Sequence, residues 1–136
     1  MKGAKLLLDT NIVVSLFEGD ANLGSLLQNV EAYLSFASEI ELLGSKHVNP
    51  EDQNWVDTFL EECYVVEVDF GVKELAAYIQ WHYNLNLQEA LVAATSMSLA
   101  IPLLSQNAHF QKIRELVFVH YQPSIETSLP EGYYDI

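Results

Sequence analysis

Short apolar runs alternate with stretches of helical spacing along this chain, and that alternation restricts the fold more than any other feature. Lys5-Leu6-Leu7-Leu8 stops abruptly at Asp9-Thr10-Asn11, the pattern of a buried strand running into a helix N-cap. Ala32–Phe36, Tyr64–Val68, Pro102–Ser105 and Val117–Tyr121 read as further strands. Between them the spacing predicts helices over Ile12–Phe17, halted near Gly19, over Leu23–Val30, and over Ser38–Leu43, closed by Gly44. Pro50 opens another helix, with Val56, Phe59, Leu60 and Cys63 on one face. Val72, Leu75, Ala76, Ile79 and Tyr83 repeat at helical spacing, Leu87–Ala100 is a helix rich in Ala and Ser, and His109–Arg114 makes a helical turn or two. Strands alternating with helices imply an α/β fold, a central mostly parallel sheet of about 4–5 strands with helices on both faces.

A chain of 136 residues suits one domain. We place that domain at 1–122 and a docking tail at 123–136. In the tail Pro123, Pro130 and Gly132 resist regular structure, while Ile125, Leu129, Tyr133, Tyr134 and Ile136 call for burial. The lone Cys63 excludes an internal disulfide framework and a thiolate zinc cage. The leucines before Asp9 are too few for a signal-peptide core, and no run approaches the ~18 apolar residues of a membrane span. A soluble cytoplasmic domain without membrane contact is expected. Six Lys and Arg against 19 Asp and Glu give a net charge of −13. Binding to polyanions by a basic stripe is therefore disfavoured, and any polyanion chemistry has to be local and metal-assisted.

Open α/β sheets bind ligands outside the carboxyl ends of their strands, where Asp9 sits. Asp9 or Thr10 can equally cap the helix that follows. Glu41 lies among Ile40, Leu42 and Leu43, where a helical Glu usually belongs to a solvated face. From Leu85 to Leu104 the only ionised residue is Glu89, and a charge in so apolar a helix is costly unless paired or metal-bound. Asn86 and Glu89 also have the spacing of a capping box, which gives Glu89 a structural reading. Asn107 can cap the segment from His109 to Ile113. His109 has no His or Cys partner at metal-ligand spacing, so zinc is disfavoured.

The order of these segments is more specific than any one of them. Leu6-Leu7-Leu8-Asp9-Thr10-Asn11, Glu39-Ile40-Glu41-Leu42-Leu43-Gly44, Leu87-Gln88-Glu89-Ala90-Leu91-Val92-Ala93-Ala94-Thr95 and Leu103-Leu104-Ser105-Gln106-Asn107-Ala108-His109-Phe110 together resemble the PIN-domain family, to which the VapC-type toxin ribonucleases of toxin–antitoxin pairs belong. The resemblance covers about residues 4 to 122. It implies a three-layer α/β/α fold and a magnesium- or manganese-dependent endoribonuclease acting on single-stranded RNA. By position it makes Asp9, Glu41, Glu89 and Asn107 the catalytic and metal-binding set, with Thr10, Asn11 and Ser105 in support. It also implies a homodimer and a small antitoxin partner that inserts a basic or apolar segment into the acidic groove.

Crowded carboxylates repel one another, and a hard dication relieves the repulsion while keeping waters for catalysis. Several positions depart from the family's commonest pattern: Glu89 replaces an Asp, Asn107 stands where a fourth Asp is common, and Gln88 stands where Pro is usual. The preceding helix, Gln80-Trp81-His82-Tyr83-Asn84-Leu85-Asn86, lacks the basic residues often found in relatives. These departures supply the alternative reading, a PIN domain that binds protein or RNA without cutting. Tyr78 and Trp81 lie off the core stripe of their helix, as a dimer surface or a base-stacking platform would. A phosphatase with Asp9 as nucleophile, in the manner of the haloacid dehalogenases, wants a second Asp where Asn11 stands.

Overall fold

The computed structural model describes residues 3–45 and 53–123. Strands β1 (Lys5–Leu8), β2 (Glu31–Ser35), β3 (Tyr64–Val66), β4 (Leu103–Ser105) and β5 (Phe118–His120) form one sheet in the order β3-β2-β1-β4-β5. Every pairing in it is parallel. Among the described residues six α-helices surround it: α1 (Thr10–Phe17), α2 (Ala21–Leu26), α3 (Phe36–Leu43), α4 (Gln53–Glu62), α5 (Phe70–Tyr83) and α6 (Leu87–Leu99), with a 3-10 turn over Ala108–Lys112. The expected α/β/α architecture is thus present, with all the pairings parallel rather than most of them.

Both faces of the sheet are dry, which explains why its strands read as continuous apolar runs. In β1 the side chains alternate between two cores. Leu7 joins Leu103, Phe110 and the α5 and α6 residues Val72, Ile79, Ala90 and Ala93 on one face. Leu6 and Leu8 join Ile12, Val13, Leu23, Leu34, Leu42 and Val56 on the other. The run of Ala90, Ala93 and Ala94 on α6 is fully buried, and these small residues let the helix lie close to its neighbours.

Several boundaries differ from those read in the sequence, each for a local reason. Helix α1 begins at Thr10, not Ile12, because the Asp9 side chain accepts from the Thr10 N–H and starts the helix earlier. Helix α2 is shorter than Leu23–Val30; Asp20 caps it at Ala21, and the chain has turned by Asn29, where φ is +67°. Helix α3 starts at Phe36 because the Ser35 hydroxyl accepts from the Ser38 N–H. Gly44 closes it as predicted, but with φ −95° and not in the left-handed region. Strand β3 stops at Val66, two residues short of Val68. The start of the Pro50 helix and the tail beyond Pro123 lie outside the described residues, whereas Val56, Phe59, Leu60 and Cys63 do face the core.

The strand order turns at β1. Strands β2 and β3 extend the sheet to one side of it, β4 and β5 to the other. Such a switch point leaves a crevice at the carboxyl ends of the two central strands. The residues that follow or end those strands here are Asp9 and Ser105.

Candidate active site

Asp9 is 5% exposed at the mouth of this crevice. Its Oδ1 accepts from the Thr10 N–H at 2.9 Å. Its Oδ2 accepts from the Ser105 hydroxyl at 2.7 Å and from Asn11 Nδ2 at 3.3 Å. Asn11 also donates to Ser105 Oγ and accepts from the Gln106 N–H, so one amide ties β1 to the loop after β4. Burial raises the Asp9 carboxyl above its ordinary value. The bonds from Ser105, Thr10 and Gln88 oppose that rise, while the nearby Glu41 charge adds to it.

Glu41 reaches the same crevice from α3. Its Oε1 accepts from the Thr10 hydroxyl at 2.7 Å and from Gln88 Nε2 at 2.8 Å. A cleft of about 490 Å³ opens between them, lined by Asp9, Thr10, Asn11, Val14, Ser15, Glu18, Glu41, Gln88, Gln106 and Asn107. Among the described residues its charged groups are carboxylates, and its other polar groups are neutral amides and hydroxyls.

Glu89 is placed differently. It is buried at the N-terminus of α6, where it and Asn86 form the capping box that their spacing predicts. Glu89 Oε1 accepts from the Asn86 N–H at 3.1 Å. Its Oε2 lies 2.6 Å from Asn107 Nδ2 and 2.9 Å from His109 Nδ1. Burial pushes this carboxyl up, but the bonds from Asn107, the Asn86 N–H and His109, with the His109 charge, outweigh it and hold the carboxyl below its ordinary value. Asn107 also caps the 3-10 turn, since its Oδ1 accepts from the His109 N–H.

The crevice therefore brings together Asp9, Glu41, Thr10, Asn11, Ser105 and the edge of Asn107, whereas Glu89 is absent from its lining. Among the described residues, no three His, Cys, Asp or Glu side chains are grouped to hold one metal ion. Magnesium commonly takes one or two carboxylates and keeps its waters, and Asp9 with Glu41 fits that holding. Among the described residues, Oδ1 of Asp9 accepts from the Thr10 N–H, and both donors to Glu41 meet its Oε1 rather than its Oε2. Glu89, with donors on both oxygens, does not fit it in this arrangement.

Sequence reasoning missed four participants: Gln88, Glu18, Gln106 and His109. Gln88 was visible as a departure from the family's pattern, but its reach to Glu41 depends on how α6 packs beside α3. Glu18 and Gln106 carry no pattern that sets them apart. His109 has no His or Cys partner at zinc-ligand spacing, and the partner it meets in the fold is the Glu89 carboxylate. Among the described residues no helix is long and apolar enough to cross a membrane.

The PIN domain family's sequence model matches residues 6–116, a span that runs from β1 past the 3-10 turn. No curated protein sequence matches the chain. Among solved structures, a toxin–antitoxin complex from Klebsiella pneumoniae is similar at 21% identity and a TM-score of 0.72, covering 87% of this chain and 97% of that one. VapBC2 from Rickettsia felis, bound to a promoter DNA fragment, aligns at 18% identity and a TM-score of 0.70 over 87% of this chain and 99% of that one. DNA-bound VapBC from Salmonella typhimurium aligns at 14% identity and a TM-score of 0.73 over 85% and 96% of the two chains. At these identities the likeness is one of fold. The family match, which takes in both central strands and the crevice between them, makes this chain a member of the PIN domain family.

Proposed function

We propose that this chain is a toxin-type PIN ribonuclease, cutting single-stranded RNA with magnesium or manganese and held in check by a small antitoxin protein. One observation carries the reading: a buried carboxylate, Asp9, stands at the sheet's switch point with Glu41 across a polar cleft from it. Asp9 and Glu41 are the residues that would hold the ion. When bound, a dication supplies Lewis acidity toward the phosphodiester and a more acidic water. Ser105 and Asn11 fix the Asp9 carboxylate, and Thr10 fixes that of Glu41. The amides of Gln88, Gln106 and Asn107 line the cleft as neutral donors for phosphate or base edges. With net charge −13, the chain gains affinity for RNA chiefly by local neutralisation of Asp9 and Glu41.

The toxin–antitoxin complexes among its structural neighbours support the antitoxin partner. An acidic cleft accommodates a basic segment of such a partner. Pairing of two copies fits the exposed aromatics of α5, where Trp81 is 85% exposed and Tyr78 41%. The cytoplasm suits a lone thiol and an RNA substrate.

A second reading, a PIN domain that binds without cutting, is favoured by the engagement of both Glu89 oxygens with protein donors. Labelled single-stranded RNA incubated with the purified protein and manganese separates the two. The proposal expects cleavage that EDTA and Asp9→Asn each abolish. Retention of RNA without cleavage, in the absence of antitoxin and at millimolar manganese, supports the second reading instead.

A further inference from the structure

Glu41 lines the crevice and Glu89 stands outside its lining, and each is met by a side-chain donor, Gln88 on the one and His109 on the other. The Gln88 amide donates to Glu41 Oε1 at 2.8 Å on the cleft side. Asn107 Nδ2 and His109 Nδ1 converge on Glu89 Oε2 at 2.6 and 2.9 Å. Neither arrangement is incidental to surface packing. The Asn107 amide is fixed in orientation because its oxygen is used by the His109 N–H. The Glu89 carboxylate is fixed from behind by the Asn86 N–H. Carboxylates brought close together need a compensating donor or cation, and an amide or imidazole N–H placed between them lowers the same repulsion that a dication would.

We propose that Gln88 and His109 act as built-in cation surrogates: Gln88 holds Glu41 Oε1 and His109, with Asn107, holds Glu89 Oε2, so that a dication gains both Glu41 oxygens only by displacing the Gln88 amide and binds without Glu89. This rests on the reading of Asp9 and Glu41 as the ion-holding pair. It makes the site of this chain a weak one by construction, and it identifies two positioning residues, Gln88 for Glu41 and His109 for Glu89. Removing the surrogates leaves Glu41 without its amide partner and Glu89 Oε2 with Asn107 as its one remaining donor, so both carboxylates present more uncompensated charge to a cation. A residue with a purely structural role would lower thermal stability when removed; it would not tighten cation binding.

The test is direct titration of Mn²⁺ into the full chain, with free ion followed by its electron paramagnetic resonance signal, for the native protein, Gln88→Ala, His109→Ala and the double variant. Far-UV circular dichroism checks that each is folded; the His109 side chain is 62% exposed, which makes that variant the safer of the two. The expected result is a millimolar Kd for the native chain and at least a tenfold tighter Kd for the double variant, with each single variant between. No detectable native binding with clear binding by the double variant also upholds the surrogates, while it removes manganese-dependent cleavage by the native chain. Native binding that the double variant equals or weakens overturns the surrogates and leaves the ribonuclease reading standing. Absence of binding in both overturns the two together.

Discussion

Ser105 Oγ donates a 2.7 Å hydrogen bond to Asp9 Oδ2, joining the carboxyl ends of the two central strands across 96 residues of sequence. The same hydroxyl oxygen accepts from Asn11 Nδ2 at 3.2 Å and from the Asn107 N–H at 2.9 Å. Two segments of the site, 9–11 and 105–107, thus meet at one side chain that is fully buried.

Ser105→Ala leaves the part-buried Asn107 N–H without its acceptor, takes one of two acceptors from Asn11 Nδ2, and removes a bond that stabilises the Asp9 charge. We expect a loss of about 2 kcal/mol in urea unfolding at neutral pH, from the penalty of unsatisfied groups. The Asp9 carboxyl should also titrate higher, since the Ser105 bond opposes its rise. Carbon-detected NMR of the Asp9 side chain reads that shift directly. A variant as stable as the native chain would show that water replaces the hydroxyl without cost.

Glu89 gives a pH-dependent prediction of definite sign. Its folded carboxyl lies below the ordinary glutamate value of 4.5, so the ionised form is the one the fold favours. Such a group contributes stability that is present above the unfolded pKa and is lost as pH falls through the folded one. Glu89→Gln weakens the clamp from Asn107 and His109 and one arm of the capping box, at about 1 kcal/mol near pH 7. Between the native chain and this variant the stability difference should shrink as the pH falls below 4.5. Chemical denaturation at pH 7 and at acid pH checks it, and a constant difference would count against the clamp.

Tyr121 ties the last strand to the start of α2. Its hydroxyl donates to Asp20 Oδ2 at 2.7 Å, while Asp20 Oδ1 accepts from the Leu23 N–H. Burial, and then the Asp20 bond and charge, push the phenol from 10.0 up to about 12. A group raised in the fold contributes stability below its unfolded pKa that is lost as pH rises toward the folded one. Tyr121→Phe should therefore cost about 1 kcal/mol at pH 7 and flatten the fall in stability between pH 10 and 12. Ultraviolet titration of tyrosinate in both proteins supplies the check: the late-titrating phenol should vanish from the variant.

The fold was legible because both faces of its sheet are buried: Leu6-Leu7-Leu8 and Pro102-Leu103-Leu104 announce strands whichever way their side chains point. Strand order was not legible, because parallel strands carry no register signal in their own residues. The Asn86–Glu89 capping box could be read from its spacing, and it formed. Gln88 and His109 could not be assigned, because their contacts cross between α6 and α3 and between α6 and the 3-10 turn. Which way a polar side chain leans at a helix start is decided by the segments packed over it, and those are distant in sequence.

The central claim is that Asp9 and Glu41 form a working cation site, and thermal melting against magnesium and manganese, with Asp9→Asn alongside, tests it most directly. At ten times its Kd an ion adds about 1.4 kcal/mol to the native state. For a chain of this size that is a rise in Tm of roughly 5 °C. The account predicts a metal-dependent rise in the native protein that is absent from Asp9→Asn. An equal rise in both, or a rise in the variant alone, would contradict it.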